Sequence, residues 1–125
     1  MGYTRFEQLP CWQKARELCS SLYGIIQATP LRKDFAIRDQ IWKAAGSVMD
    51  NIAEGFDNTS QKEFCRFLGY SLRSASEVQS QLYRALDCGL ISEKDFKEIF
   101  ILAQDCRKQI KGFRAYLQSY AIDKK

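Results

Sequence analysis

Helix-breaking residues are scarce in this 125-residue sequence, and that scarcity limits its fold more than any other feature. Only two prolines and seven glycines interrupt the chain, and 46% of the residues are hydrophobic. Few breakers, together with abundant Ala, Leu, Gln, Glu, Lys and Arg, favour long helices over a β fold that needs many turns. A chain of this length and apolar content suits one domain, residues 1–125, that buries a core without metals or crosslinks.

Apolar residues recur at the spacing of an α-helix in four segments that have recognisable start and stop signals. These segments cover about residues 10–27, 35–54, 60–88 and 92–120. Pro10 suits a first helical position and Asp34 a helix N-cap. Gly55 and Gly89 suit the left-handed position that follows a helix end. Short connections imply antiparallel neighbours, so the sequence predicts an all-α, up-down-up-down four-helix bundle.

The turn NIAEGFDNTSQKE, between the second and third predicted helices, has polar residues on both sides. Glu54 lies in the last turn of a helix, where the helix dipole disfavours an anion, and the free N–H groups of the next helix are close by. Ser60 and Glu63 have the S-x-x-E spacing of a capping box. We therefore predict a structural latch that joins Asn51 and Glu54 to Ser60 or the residues after it, with Gly55 ending the helix.

Residues suited to catalysis are mostly missing from the sequence. The chain has no histidine, which excludes Ser-His-Asp and Cys-His arrangements and the Glu-x-x-His pairs by which many bundles bind two irons. No glycine-rich phosphate loop occurs. Glu93, Asp95 and Glu98 form the densest acidic cluster, but carboxylates at a helix start are better explained by the helix dipole than by acid–base chemistry. We expect no enzyme, no cofactor and no metal.

The cysteines are odd in number and include no C-x-x-C pair; they are Cys11, Cys19, Cys65, Cys88 and Cys106. We interpret them as reduced residues that pack as small hydrophobes in the core. The first residues, MGYTRFEQLPCWQKARELC, lack the apolar run of a signal peptide, and no segment reaches about 18 apolar residues. We expect a soluble, cytoplasmic protein without a membrane partner.

Basic side chains are concentrated in the last predicted helix. Residues 93–125 hold eight basic and five acidic side chains, which supplies three of the four net positive charges. Five of the cations fall within about a third of the helix circumference, away from its apolar stripe. They are Lys97, Arg107, Lys108, Lys111 and Arg114. Such a stripe fits the phosphates of a nucleic acid, although an ordinary solvated helix face would have a similar pattern.

Apolar residues on the third and fourth helices exceed what a monomeric bundle needs. The residues beyond the main stripes are Leu72, Tyr83, Ile101, Leu102 and Tyr116. Singly exposed hydrophobic residues are common, but we favour an interface between subunits. The small residues between Gly69 and Ala75 would also let another helix approach closely, either from the same bundle or from a neighbour.

Several stretches resemble one known family. They are FEQLPCWQKARELCSSLY near the start, QIWKAAGSVMDNIAEG at 40–55, SQKEFCRFLGYSLRSASEVQSQL at 60–82 and CGLIS at 88–92. The motif NIAEG, followed at this interval by EFxRFLxxSxxSxxE, resembles that of the four-helix-bundle proteins encoded in intervening sequences of bacterial 23S ribosomal RNA genes, the S23-type family. The resemblance covers roughly residues 6–120.

This resemblance implies a left-handed up-down bundle that assembles into a ring, commonly a barrel-shaped homopentamer. It also implies a distant similarity to the accessory protein of diversity-generating retroelements, a basic pentamer that engages nucleic acid and a reverse transcriptase. No catalytic residues follow from it. The family pattern is usually QIRRAA where this chain has Trp42 and Lys43, with a basic residue near the position of Asp57. Two positive charges are therefore missing, which leaves Lys43, Arg66, Arg73 and the basic stripe as candidates for binding RNA.

Two functions fit these observations. The first is a non-enzymatic oligomer that associates with structured or ribosomal RNA through phosphates rather than bases. The second is an oligomeric adaptor or scaffold that binds a partner protein, with positive charge serving steering and solubility. A net charge of +4 is modest for an RNA-binding chain. Five copies would carry about +20, which is enough for affinity to a polyanion.

Overall fold

The computed structural model describes residues 2–57 and 60–123, with side chains through residue 119, and within these ranges the chain forms an antiparallel bundle of four helices. They are α1, Pro10–Ala28; α2, Phe35–Phe56; α3, Gln61–Asp87; and α4, Glu93–Asp123. Short 3-10 turns, Phe6–Gln8 and Pro30–Lys33, precede α1 and α2. Both α1 and α3 pack against α2 and α4. The predicted fold class and bundle are confirmed.

Side-chain oxygens cap the starts of α2, α3 and α4, each accepting a hydrogen bond from the backbone N–H three residues later. The oxygen of Asp34 accepts at 3.1 Å, that of Ser60 at 3.3 Å and that of Ser92 at 3.1 Å. A helix starts with N–H groups that have no partner on the helix itself, so these contacts fix where each helix begins. The helix starts inferred from the sequence are therefore confirmed by caps as well as by position.

The two glycines predicted to end helices differ in conformation. Gly89 has a φ of +71° and follows α3, as predicted for a left-handed helix end. Gly55, in contrast, lies within α2, which continues to Phe56, and its φ is not positive. A Cβ atom at Gly55 would lie 2.8 Å from both Phe64 Cδ1 and Phe67 Cβ. The prediction for Gly55 is wrong: glycine is needed there because α3 approaches α2 too closely for a side chain.

A hydrophobic core runs along the bundle between the helices. Large side chains with almost no exposure come from every helix: Leu18, Leu22, Ile41, Ile52, Leu68, Leu82, Ile99, Ile110 and Leu117. All of them lie on the apolar stripes inferred from the sequence, because a helix buries the side that its 3.6-residue period makes apolar. Leu9 and Leu31 lie outside the long helices, shortly before α1 and α2, and are fully buried in the same core.

The small polar residues of α3 pack against α2. The hydroxyl of Ser71, which is fully buried, donates to the Val48 carbonyl oxygen at 2.8 Å. The hydroxyl of Ser74 donates to Ser47 Oγ, also at 2.8 Å. A buried hydroxyl without a partner is costly, so these bonds allow two helix backbones to lie close together without that penalty. The serines therefore serve packing within the bundle.

Buried glutamines make further bonds between α3 and its neighbours. Gln81 Nε2 donates to Gln40 Oε1 of α2 at 2.9 Å. On the other side of α3, Gln79 Nε2 donates to Gln104 Oε1 of α4 at 3.1 Å. Each pair satisfies the side-chain amide of a buried α3 glutamine. Polar contacts as well as apolar packing thus join α3 to α2 and α4.

Candidate nucleic-acid interface

Two arginines on the exposed side of α3 lie close to the same tyrosine ring. The guanidinium carbon of Arg73 lies 4.9 Å from the ring centroid of Tyr70, and that of Arg66 lies 5.6 Å from it. Arg66 Nη1 also donates to the Tyr70 hydroxyl at 3.2 Å. Residues three and four apart are neighbours on a helix surface, which explains this arrangement. Contact with the ring restrains both guanidinium groups while their side chains remain exposed.

The charge of Arg66 is partly offset by a neighbouring carboxylate. Arg66 Nη2 donates to Glu63 Oε2, and this hydrogen bond raises the pKa of Arg66. Glu63 was predicted to complete the capping box with Ser60. Its backbone N–H does bond to Ser60, but its carboxylate pairs with Arg66. Arg73 has no carboxylate within ion-pair distance among residues 2–57 and 60–119, so its charge is fully available.

The arginines of the predicted α4 stripe are half-buried and make hydrogen bonds within the bundle. Arg114 Nε donates to the Cys65 carbonyl oxygen at 2.9 Å, which joins α4 to α3. Arg107 Nη1 donates to Gln104 Oε1 at 3.2 Å, and its Nε is buried without a hydrogen-bond partner among the described atoms. Both side chains are half-buried. Arg107 and Arg114 therefore contribute positive charge near the surface, but part of each guanidinium group is used within the bundle.

The lysines of the predicted stripe are exposed, and they lie at two different levels along α4. Lys108 and Lys111 are one turn apart and, in the antiparallel pairing of α3 with α4, lie at the level of Arg66 and Arg73. Lys97 precedes Lys108 by eleven residues, about 16 Å along the helix. Four exposed cations thus occur at this level of the two helices, and we call them the basic face: Arg66, Arg73, Lys108 and Lys111. Lys97 lies toward the other end of α4.

Lys43 lies apart from the basic face. It is exposed on α2 and lines a cavity of about 230 Å³ between α2 and α3, together with Gln40, Ser47 and Glu77. The carboxylate of Glu77 in the same cavity lowers the local positive potential. Lys43 thus lies beside a carboxylate, which makes its surroundings less suited to a phosphate.

The residues predicted to form an oligomer interface do not lie in one patch. Leu72 and Leu102 are partly buried against the core. Tyr83 packs on phenylalanine rings near the start of α4, whereas Tyr116 lies about 30 Å further along that helix. Ile101 is 59% exposed on the outer side of α4. The predicted interface remains a prediction, and Ile101 is the member whose exposure most favours it.

The predicted turn latch is only partly present. Asn51 Nδ2 donates to the carbonyl and hydroxyl oxygens of Ser47, at 2.8 and 2.9 Å. The prediction that Asn51 bonds across the turn is therefore wrong, because a partner one turn back on the same helix is nearer. Ser60 caps α3 as predicted, and Glu54 is exposed in the last turns of α2. Residues 58–59, within the turn, lie outside the described residues.

The cysteines occupy three kinds of environment. Cys11, Cys19 and Cys106 are buried, and burial raises the pKa of the Cys11 and Cys106 thiols to about 12 and that of Cys19 to about 11. Cys65 is half-buried, and burial raises its pKa as well. Cys88 is exposed after the last turn of α3. The interpretation of cysteines as core residues is thus correct for the three buried ones and wrong for Cys88.

Thiol reagents should distinguish these environments. In the native protein at neutral pH we expect rapid labelling of Cys88, slower labelling of Cys65 and labelling of the other three only after unfolding, because the thiolate is the reactive form. Mass spectrometry after timed alkylation measures this order.

The raised pKa values of the buried thiols also predict how stability depends on pH. The free energy of unfolding should be constant below about pH 9 and should fall as the pH rises toward 12, because over this range the thiols ionise in the unfolded chain but not in the folded one. Rapid native labelling of Cys106 would contradict both expectations.

An exposed aromatic pair lies on the α1–α2 side, and it was not predicted from the sequence. The ring centroids of Tyr23 and Trp42 are 5.6 Å apart, and the two side chains are 52% and 43% exposed. We call the surface around them the aromatic groove; its members are Arg16, Tyr23, Arg32, Arg38 and Trp42. No local signal in the sequence indicates the pair, because Tyr23 and Trp42 belong to different helices.

Two further properties bear on the kind of site. Within the described part of the chain, no helix is both long and apolar enough to cross a membrane. Residues 2–57 and 60–123 also contain no cluster of three or more His, Cys, Asp or Glu side chains placed to hold a metal ion. The basic face and the aromatic groove both combine exposed cations with aromatic rings.

The sequence matches the model of the family described as 23S rRNA-intervening sequence protein over residues 7–112. The chain belongs to this family. A solved structure has a similar fold: the crystal structure of a protein with unknown function from the S23 ribosomal protein family of Bacteroides thetaiotaomicron superposes with a TM-score of 0.75. The two chains are 18% identical, and the match covers 83% of this chain and 97% of that chain. At this identity the similarity shows the fold alone. A search of curated proteins finds no significant match.

Proposed function

We propose that this 23S rRNA-intervening sequence protein is a non-enzymatic, cytoplasmic oligomer that associates with structured or ribosomal RNA. The observation that carries the proposal is the basic face. It combines Arg66 and Arg73, both restrained by Tyr70, with the exposed Lys108 and Lys111 of the neighbouring helix. Restrained guanidinium groups lose less side-chain freedom when they bind, so this arrangement favours phosphate contacts.

The chemistry of the basic face favours recognition of the RNA backbone. Arg66 and Arg73 are two turns apart on α3, about 10 Å along the helix, and both groups donate hydrogen bonds without accepting any. Contacts of this kind position a protein on phosphates and carry no sequence information by themselves. Structured RNA is largely recognised by its shape and backbone. The proposed partner is therefore a folded RNA rather than a particular base sequence.

Assembly would multiply this charge. One chain has a net charge of +4, which gives weak attraction to a polyanion at physiological salt. A ring of five chains would carry about +20 and present the basic face several times to one RNA. Oligomer formation and RNA association are thus linked parts of the same proposal.

Two measurements test this function together. Light scattering should give a mass several times the 14.5 kDa of one chain. Binding of a structured RNA should weaken by about 10²-fold between about 50 mM and about 200 mM salt if three or four phosphates per site are neutralised. A monomeric mass would defeat the oligomer, and absent or salt-insensitive binding would defeat the RNA association.

One observation supports a second function, an oligomeric adaptor that binds a partner protein. Ile101 is 59% exposed on α4, and Tyr83 is half-exposed on the phenylalanine rings beside the start of that helix. Exposed apolar residues of this size are enriched in protein interfaces. An oligomer that shows no salt-sensitive RNA binding would favour this second function over the first.

A further inference from the structure

The aromatic groove consists of two adjoining depressions on the α1–α2 side, and Tyr23 and Trp42 line both. One depression, about 270 Å³, also contains Arg32 and Arg38. The other, about 340 Å³, contains Arg16. The two partly exposed rings therefore stand between the depressions, and arginines are present on either side of them.

The arginines of the groove are not neutralised equally. Arg38 Nε donates to Asp39 Oδ1 at 2.9 Å, and its Nη1 donates to the Arg32 carbonyl oxygen at 3.0 Å. Asp39, the carboxylate that lines the groove, is thus engaged by Arg38. Neither Arg16 nor Arg32 has a carboxylate within ion-pair distance among residues 2–57 and 60–119. Arg16 and Arg32 therefore provide positive charge without an ion pair on the two sides of the rings.

We propose that the aromatic groove binds unpaired nucleotides of RNA, with bases stacked on the exposed rings of Tyr23 and Trp42 and phosphates held by Arg16 and Arg32. Flat aromatic faces beside cations are what single-stranded nucleic acid requires, because every base has a face to stack and every nucleotide carries a phosphate. This inference rests on the proposed RNA association. It adds a second site, separate from the basic face, that takes single strands and not duplex.

The charge of the groove argues for this occupant over a second copy of the chain. If two copies met groove to groove, Arg16 and Arg32 of one would face the same cations of the other, which is repulsive. Duplex RNA is also a poor occupant, because its base faces are already stacked and only its backbone and groove edges are accessible. An unpaired strand supplies phosphates for the arginines of the groove and base faces for its two rings.

Fluorescence of Trp42 provides the direct test. The chain has two tryptophans, so Trp12→Phe leaves Trp42 as the one fluorescent indole. Titration with a single-stranded oligouridylate of about eight nucleotides should quench its emission, because a stacked base contacts the indole face. A fully paired RNA duplex at the same concentration should leave the emission unchanged. Equal quenching by duplex and single strand would overturn the proposal.

A second variant measures how much the ring contributes. Trp42→Ala should weaken binding of a labelled oligouridylate about tenfold or more, measured by anisotropy, while duplex affinity stays unchanged. Trp42 is 43% exposed, so its loss should leave helix content by circular dichroism intact. Tyr3→Ala is the matched control, because Tyr3 is a 39% exposed aromatic that packs on Phe113 of α4. It should bind the oligouridylate as the unaltered protein does.

The outcomes separate this inference from the function on which it rests. If duplex RNA binds in a salt-sensitive way but Trp42→Ala binds oligouridylate normally, the groove is not the single-strand site and the proposed function survives. If Trp42→Ala lowers the mass measured by light scattering, the groove is a contact between subunits and the inference is wrong. If neither RNA binds the unaltered protein, the proposed function itself fails.

Discussion

Gly55→Ala is expected to lower the free energy of unfolding by about 2 kcal/mol. The added Cβ would lie 2.8 Å from Phe64 Cδ1 and from Phe67 Cβ. A phenylalanine ring can rotate away, but the Cβ atom of Phe67 is fixed to the α3 backbone, so α2 and α3 must separate. The clash outweighs the gain of about 1 kcal/mol that alanine normally brings to a helix interior. Urea denaturation monitored by circular dichroism measures the change.

Gly46→Ala is the matched control in the same helix. A Cβ atom at Gly46 would have no heavy atom within 4 Å outside its own helix turn. The same substitution should therefore raise the free energy of unfolding by about 1 kcal/mol through helix propensity alone. The two variants share their chemistry, so the difference between them isolates the contact with α3. Stabilisation by both would show that the helices do not approach as closely as described.

Reversing two charges of the basic face should reduce affinity for structured RNA by about 10²-fold or more. In the variant Lys108→Glu with Lys111→Glu, two phosphate contacts are lost and two repulsive charges replace them. The formal net charge of +4 falls to zero. Both lysines are exposed on α4 and outside the core, so the fold should be unaffected. Binding measured across a salt series should also show a salt dependence shallower by about two units of slope.

A control with the same charge change distinguishes a site from general attraction. Lys33→Glu with Lys94→Glu also removes four units of charge, and both lysines are exposed, near the start of α2 and in the first turn of α4. Only long-range attraction should weaken, so the loss should be a few-fold at about 150 mM salt, where charges are screened beyond about 8 Å. Equal losses in the two variants would show that the basic face is not a defined site.

Local signals in the sequence were sufficient to predict the helices and the residues at which they begin. Asp34, Ser60 and Ser92 cap helices through contacts with residues three positions later, so a short window of sequence contains the whole interaction. Gly55 and Gly89 resemble one another in that window. What separates them is the packing of α3 against α2, a contact between helices that no local pattern records.

The candidate sites were only partly predictable for the same reason. The spacing of the basic stripe correctly placed Lys108 and Lys111 away from the core, but it could not show that Arg114 bonds to the Cys65 carbonyl oxygen of α3. A long side chain can bond to several groups on neighbouring helices, and the packing of the helices determines which of these groups is within reach. The aromatic groove was missed entirely, because Tyr23 and Trp42 come from different helices and meet only in the folded chain.

The buried polar bonds of α3 limit how this helix can be displaced. Sliding α3 by one turn, about 5.4 Å, would break the Ser71, Gln79 and Gln81 bonds together and leave these three buried side chains without their partners. Apolar contacts alone would tolerate such a slip, since one leucine can replace another. A few hydrogen bonds therefore fix the position of α3 along the bundle. The surrounding hydrophobic residues can then change during evolution without loss of the alignment that keeps Arg66 and Arg73 level with Lys108 and Lys111.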